Sequence, residues 1–229
     1  MSRIDEFLKW KNETRKVRPP NYYYVTDLTK PCQRQAYYSI VEDRPFPVET
    51  LRIFEAGNIM EDYWAKVLEK DPDIRILGTQ VPAYYIDEEI NNIVIHGRID
   101  ILAQHDDGPI IAHEVKTASS CHWMREPKPE HYEQIQFYLS CLNIENGVLD
   151  YLDKNALLRG KTNIDISFPV KQDESVAYDM INRAIKLKAA VDQKLPPPGN
   201  PEAWNGKICN YCLFKDICSE FKLKSDKND

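Results

Sequence analysis

The spacing of apolar residues divides the middle of the chain into one helix and three strands. From Val48 to Lys70 the apolar residues recur every three or four positions, which predicts a helix that ends at Asp71-Pro72. Three strand-like runs follow at residues 74–86, 92–104 and 109–117, and the turn-rich segments DEEINN and HDDG separate them. Together these runs predict an antiparallel meander.

The flanking segments predict further elements. The chain is predicted to be helical up to about Val41, with Thr26 or Asp27 as the N-cap of a helix that contains QRQAYYSI. Downstream of the meander, the pattern predicts a helix at about 130–145, short strands near 148–152 and 164–170, and a helix at about 174–194. The segment LPPPGNPEAW is typical of a linker, and it leads into a cysteine-containing tail.

Composition narrows the class of protein. With 229 residues, 42% hydrophobic and 29% charged, the chain can bury one good core, so we expect a single domain over residues 1–229. The N-terminal sequence MSRIDEFLKWKNETRK carries charges throughout, and no uncharged run is long enough to cross a bilayer. We therefore expect a cytoplasmic protein with no membrane partner. No Walker A loop or internal repeat is visible, which excludes an ATP-driven motor.

The charge is ambiguous about nucleic acid. A net charge of −6 is mild evidence against it, because phosphate binding usually leaves a basic footprint. The first forty residues nevertheless hold more basic than acidic side chains, so a local basic strip is conceivable there. From charge alone, a solvated helix face is the favoured interpretation.

The strongest candidate for chemistry lies in the meander. Side chains alternate along a strand, so Glu114 and Lys116 project to the same side, and Asp100 lies on the neighbouring strand. Two carboxylates there could share one Mg²⁺ or Mn²⁺ ion, which would activate water for phosphodiester hydrolysis while Lys116 offsets developing charge. The alternative is an ordinary cross-strand surface ion pair.

Two weaker signals accompany this trio. Gln134 and Tyr138 are four residues apart on a predicted helix, and a glutamine beside a phenol suits a phosphate or base better than a core. Glu61 falls within the apolar stripe of the helix that begins at Val48, which indicates metal ligation or a buried ion pair. Alternatively, Glu61 lies at the edge of the stripe and reaches water.

The cysteines predict a second centre. Cys209, Cys212 and Cys218 form a C-x2-C-x5-C pattern, and Cys32 near the other end of the chain is the candidate fourth ligand. Four thiolates suit either a tetrahedral zinc ion or an iron–sulfur cluster, and spacing does not separate the two. Cys121 and Cys141 have no second cysteine nearby and are interpreted as ordinary thiols.

The full set of motifs resembles a known family. In chain order the motifs are Cys32, Gly57-x3-Glu61, Gly97-x2-Asp100, Glu114-Val115-Lys116, Gln134-x3-Tyr138 and the C-x2-C-x5-C tail. They resemble the RecB-like nucleases of the PD-(D/E)XK superfamily, and more closely the CRISPR-associated four-cysteine exonucleases. One position departs from the pattern, because Glu61 stands where that family usually has a metal-binding histidine.

The resemblance implies a fold, cofactors and a substrate. It implies an α/β fold of the restriction-endonuclease type, with an αβββαβ catalytic core over residues 48–195. Residues 1–47 and 196–220 would together hold a [4Fe-4S] cluster through Cys32, Cys209, Cys212 and Cys218. It further implies cleavage of single-stranded DNA, often from a 5′ end, with Mg²⁺ or Mn²⁺ held by Glu61, Asp100, Glu114 and the carbonyl of Val115.

Three functions are consistent with these residues. The resemblance favours a DNA exonuclease that trims fragment ends in CRISPR spacer acquisition, together with the integrase complex. A stand-alone repair, recombination or viral exonuclease is the second. The third is a DNA-binding scaffold with a decayed site, and the presence of Asp100, Glu114 and Lys116 argues against it.

Overall fold

The computed structural model describes residues 2–42, 44–160, 162 and 164–218. Its helices are α1 Arg3–Glu13, α2 Val25–Leu28, α3 Gln33–Val41, α4 Val48–Leu68, α5 Pro129–Leu142, α6 Lys154–Leu158, α7 Glu174–Asp192 and α8 Ala203–Gly206, followed by a 3₁₀ turn at Ile208–Tyr211. Its strands are β1 Tyr22–Tyr24, β2 Ile74–Asp87, β3 Ile93–His105, β4 Ile110–Ala118, β5 Asn146–Asp153 and β6 Asp165–Lys171. The order α4–β2–β3–β4–α5–β5 confirms the expected αβββαβ arrangement.

The strands form one mixed sheet around β3. β2 pairs antiparallel along one edge of β3, from Ile74 opposite His105 to Asp87 opposite Ile93. The other edge of β3 holds two strands, because β1 pairs parallel near its start and β4 pairs antiparallel near its end. Beyond β4 the sheet continues through a parallel β5 and an antiparallel β6. The predicted meander of β2, β3 and β4 is therefore confirmed.

Two apolar clusters hold the helices against the sheet. The larger joins β3 and β5 to α5 and α7, and includes Ile95, Phe137 and Met180, none of which is exposed. The smaller lies where Ile101 and Val115 of the sheet meet the partly buried apolar stripe of α4. In the described part of the chain, no helix combines the length and apolarity needed to span a bilayer.

The N-terminal segment differs from the all-helical prediction. Residues 22–24 form β1, because their amides pair with residues 94–96 of β3, and a three-residue strand gives almost no periodic signal. The predicted N-cap was also wrong. Thr26 and Asp27 lie inside α2, and α3 begins one turn later, after Pro31, with Cys32 at its N-cap. Asp27 is instead buried, and its carboxylate pairs with Arg18 and Lys30.

Candidate active site and cysteine cavity

The candidate site lies where β3 and β4 separate. The pairing of β3 with β4 stops at Ile101 opposite His113. Beyond that pair, Asp100 of β3 and Glu114 of β4 are no longer joined by backbone hydrogen bonds. The freed amide of Val115 donates to Asp100 Oδ2 at 2.8 Å. This bond turns the Asp100 carboxylate, which is only 8% exposed, towards the fork between the strands.

Glu114 and Lys116 meet inside this fork. Lys116 Nζ donates to Glu114 Oε1 at 2.6 Å, as expected for two residues on one face of β4. Glu114 is 1% exposed, so the contact is buried, unlike the surface ion pair considered as the alternative. The second oxygen, Glu114 Oε2, is buried and has no hydrogen-bond partner among the described residues.

Gln134 and Tyr138 of α5 position Lys116. Gln134 Oε1 accepts a hydrogen bond from Lys116 Nζ at 3.0 Å, and Gln134 Nε2 donates to Tyr138 Oη at 2.9 Å. The Tyr138 ring is 2% exposed and packs against Gly97, where a Cβ would approach it to 2.4 Å. The interpretation of this pair as a surface for phosphate or base is therefore corrected, because their polar groups are already satisfied inside the protein.

Glu61 of α4 also reaches the site. Gln80 Nε2 donates both to Glu61 Oε2 at 3.3 Å and to Asp100 Oδ1 at 3.1 Å, so one amide links the two carboxylates. Sequence reasoning missed Gln80. Its signal was a polar residue inside a predicted strand, and its backbone adopts a positive φ of 51° near the register shift between Ile76 and Gly78.

The electrostatics of the fork are dominated by crowded carboxylates. Burial, and then the charge of Asp100, raises the pKa of Glu114 to about 8. The same two causes raise the pKa of Glu61 to about 7. Burial would lower the pKa of Lys116, but Glu114 and Asp100 together raise it above its ordinary value. The site therefore holds more potential negative charge than one ammonium can balance.

The four predicted cysteines line one cavity. Cys32 at the start of α3 meets Cys209, Cys212 and Cys218 of the C-terminal tail, together with Tyr38 and Ile208. Burial raises the pKa of the Cys212 thiol, and the charges of the other three cysteines raise it further. Residues 219 and 220, which the predicted module included, lie outside the described residues.

Contacts between the chain ends shape this cavity. Arg34 Nε donates to Pro197 O at 2.7 Å, and the Asn200 amide donates to Cys32 Sγ at 3.4 Å. Arg44 Nη1 bonds both Leu213 O and Asp216 Oδ1. These bonds join segments that are far apart in the sequence.

Comparison with known families decides the class of protein. The family model described as the PD-(D/E)XK nuclease superfamily matches residues 24–219, which is most of the chain. The chain belongs to the PD-(D/E)XK nuclease superfamily. It is therefore a nuclease, and the motif in that name is matched by Asp100 and by Glu114-Val115-Lys116, with Ile99 in place of the proline.

Individual relatives of this PD-(D/E)XK nuclease agree with the assignment. It is 26% identical to the CRISPR-associated exonuclease Cas4 of Saccharolobus solfataricus over 94% of this chain and 97% of the relative. The crystal structure of SSO0001 matches its fold with a TM-score of 0.63 and 24% identity, over 96% of this chain and 97% of that one. An alkaline exonuclease from Laribacter hongkongensis matches with a TM-score of 0.50 and 13% identity, over 82% and 93% of the two chains.

Proposed function

We propose that this nuclease cleaves DNA with a divalent cation held by Asp100, Glu114, Glu61 and the carbonyl oxygen of Val115. The observation that supports this most is the buried Glu114 Oε2, which lacks a partner in the described part of the chain. A buried carboxylate oxygen without a partner is costly. Mg²⁺ or Mn²⁺ would satisfy it, because these ions prefer carboxylate and carbonyl oxygens.

The excess carboxylate charge supports the same proposal. The raised pKa values of Glu61 and Glu114 indicate that their anionic forms repel each other and Asp100 in a poorly hydrated place. Within the described ranges, no three acidic, histidine or cysteine side chains form a preformed ion cage. Instead, the Gln80 amide lies between Glu61 and Asp100 and donates a hydrogen bond to each carboxylate. A bound cation would replace this amide as their shared partner.

The fork between the strands presents a backbone oxygen as well. In an extended strand the N–H and C=O of one residue point to the same side. Because the Val115 amide points to Asp100, the Val115 carbonyl faces that side of β4 too, in the stretch where β3 no longer pairs with it. This supports the carbonyl of Val115 as a fourth oxygen ligand.

Each side chain of the fork would have a different role in phosphodiester hydrolysis. A bound divalent cation would polarise the scissile phosphate and acidify a water. Lys116, kept charged by Glu114 and Asp100, would orient that water or offset the negative charge that develops on the phosphate. Gln134 holds Nζ of Lys116 in place and Tyr138 holds Gln134, so these two act as positioning residues.

We further propose exonuclease action on single-stranded DNA, from the 5′ end, in CRISPR spacer acquisition with the integrase complex in the cytoplasm. The support is similarity to the CRISPR-associated exonuclease Cas4 over nearly the whole chain. A stand-alone repair, recombination or viral exonuclease is the alternative. A decayed scaffold is disfavoured because Lys116 contacts Glu114, and Asp100 accepts from the amide of Val115 that lies between these two residues in the chain.

Cleavage of end-labelled single-stranded DNA tests this function. With Mg²⁺ or Mn²⁺, a 5′-labelled strand should release its label as short products from the start of the reaction, while a 3′-labelled strand shortens gradually. Asp100→Ala should lose several orders of magnitude in rate, because it removes a metal ligand. Glu133→Gln, which alters an ion pair on α5 away from the fork, is the matched control. Cleavage that survives EDTA would contradict the proposal.

We propose a [4Fe-4S] cluster for the cysteine cavity. A zinc ion holds four sulfurs at about 2.3 Å from one centre. A cubane cluster offers a separate iron to each thiolate, so its sulfurs lie farther apart. The four cysteines share one cavity, which suits either group. The support for the cluster is the resemblance of the full motif set to the CRISPR-associated four-cysteine exonucleases.

Anaerobic purification followed by iron and sulfide analysis tests the cluster. We expect a brown protein with about four iron and four sulfide per chain. Cys32→Ala should lose the colour and much of the stability, because the cluster would join the two chain ends. Cys121→Ala removes a buried cysteine outside the cavity and should keep the colour. A colourless wild-type protein with one zinc ion would contradict the proposal.

A further inference from the structure

An aromatic strip leads along the sheet towards the candidate active site. It consists of Tyr84 on β2, His96 on β3, and Tyr22 and Tyr24 on β1, and it ends at Arg98. The ring of Tyr84 stacks on His96 with centroids 4.6 Å apart. Tyr22 and Tyr24 lie 5.6 Å and 6.1 Å from the same imidazole.

The pairing of the strands places these side chains on one face. Tyr84 and Tyr24 both lie opposite His96, on the two edges of β3. The alternate residues Ile95 and Ile99 point to the other face, where they are completely buried in the main core. The aromatic strip therefore lies on the side of the sheet that this core leaves open.

Two rings of the aromatic strip are exposed, whereas Tyr22 and His96 are partly buried. The residue Tyr84 is 47% exposed and Tyr24 is 37% exposed. Large aromatic side chains that lie open beside an active site are typical of platforms on which the bases of a single strand stack, because every base has a π-face.

The side chain of Arg98 suits a phosphate. Arg98 is exposed, and its guanidinium forms no ion pair or hydrogen bond with the described residues, although its backbone bonds to Tyr138. It precedes Asp100 by two residues, so it lies between the rings and the fork. At the other end, the Arg18 guanidinium lies 4.5 Å from the centre of the Tyr24 ring, but the Asp27 carboxylate balances its charge. Arg98 is therefore the cation of the strip that a phosphate would meet, and one local cation is compatible with the net charge of −6.

We propose that the aromatic strip holds the single strand next to the scissile phosphate, with bases stacked on Tyr84 and Tyr24 and a phosphate on Arg98. The proposal rests on the proposed function, since it names the substrate of the same site as unpaired DNA. His96 and Asp100 are four residues apart, or about 13 Å along the strand. At ~3.4 Å per stacked nucleotide, the stacked bases lie about four nucleotides from the cut, or fewer if the strand is stretched.

Binding of a labelled oligothymidylate, with Ca²⁺ replacing Mg²⁺ to slow cleavage, tests the stacking. Tyr84→Ala should raise Kd by about 5- to 100-fold, the effect of removing one stacking aromatic. Tyr84→Phe should restore binding, because it keeps the ring. Tyr178→Ala removes another exposed tyrosine, on α7, and should leave Kd unchanged. Thermal melting checks that each variant is folded.

Arg98→Gln should weaken binding and reduce the salt dependence. Without the Arg98 side chain, the negative slope of log K against log salt should become shallower by about 0.7, the value for one phosphate contact on a single strand. Arg75→Gln, at the far end of β2, is the matched control. Blunt duplex DNA should bind Tyr84→Ala as it binds the wild type, because its bases are already stacked on one another.

Single abasic sites along the strand locate the contact. An abasic site about two to four nucleotides from the cut should raise the Kd of the wild type. The same abasic site should not raise the Kd of Tyr84→Ala any further, because that variant has already lost the stacking contact. If the wild type cleaves DNA but Tyr84→Ala and Arg98→Gln bind it equally well, the strip proposal is overturned and the nuclease proposal stands. The strip would then be a surface for a protein partner. If the wild type cleaves no DNA, the proposed function fails. The Kd values of the variants then still show whether the strip binds single-stranded DNA.

Discussion

Gly97→Ala would disturb the support of Lys116 from a distance. A Cβ at this position would lie 2.4 Å from Tyr138 Cε1 and 2.7 Å from Tyr138 Oη, which is too close for either atom. The ring cannot swing into solvent, because Tyr138 is 2% exposed and belongs to the main core. Either the ring or the strand must therefore shift.

The expected magnitude follows from these contacts. Overpacking of a tight core costs roughly 1–3 kcal/mol, so we expect the free energy of unfolding to fall by about that amount. A shift of Tyr138 would also displace Lys116, because Gln134 donates a hydrogen bond to Tyr138 Oη and accepts one from Lys116 Nζ. A displacement of about 1 Å at a catalytic group can cost on the order of 100-fold in rate. We expect a loss of that order in single-turnover cleavage.

Urea denaturation and single-turnover cleavage measure the two effects separately. Gly57→Ala is the matched control for stability, because its Cβ would lie no closer than 3.9 Å to Glu61 Oε1 in the middle of α4. That substitution should raise the free energy of unfolding by about 0.5–1 kcal/mol. A Gly97→Ala protein as stable and as active as the wild type would refute the reasoning.

Four further predictions concern the same fork. Tyr138→Phe removes the acceptor of Gln134 and should slow single-turnover cleavage by about 5- to 10-fold, the value of one hydrogen bond, and an unchanged rate would show that the phenol positions nothing. Glu61→Ala should raise the half-saturating Mg²⁺ concentration, and Glu61→His should shift preference towards transition metals, whereas unchanged titrations would remove Glu61 from the ligands. Because the pKa of Glu114 is raised to about 8, metal binding must displace its proton, so affinity measured by calorimetry should rise with pH up to about 8. In the metal-free protein the same carboxyl holds a proton that the unfolded chain releases near pH 4.5, so the free energy of unfolding should fall as the pH rises from about 4.5 to about 8 and then level off, and a flat profile would contradict this.

Sequence patterns predicted the scaffold well because its elements are long. The 21-residue helix α4 and the strands β2 and β3 carry enough periodicity to be recognised. The three-residue strand β1 was missed, because its pairing with β3 depends on residues about seventy positions away. A local pattern cannot show such a contact.

The sequence predicted most residues of the candidate site but not how they are arranged in space. Alternation placed Glu114 and Lys116 side by side, as the structure shows. The fork itself depends on where the pairing of β3 and β4 stops, and Gln80 depends on an irregularity in β2, so neither follows from spacing. Likewise the burial of Tyr138 depends on Gly97 of another strand. Tertiary packing, rather than local preference, decides these features.

Mn²⁺ binding, measured together with DNA cleavage in the wild type and in Glu114→Gln, tests the central claim most directly. Glutamine keeps the shape of the side chain but cannot become the carboxylate that a cation needs, and the carboxyl that it replaces has an Oε2 without a partner among the described residues. We expect the wild type to bind Mn²⁺ and to cleave single-stranded DNA, and Glu114→Gln to remain folded while losing both, with cleavage reduced by several orders of magnitude. A Glu114→Gln protein that binds Mn²⁺ and cleaves DNA like the wild type would contradict the account.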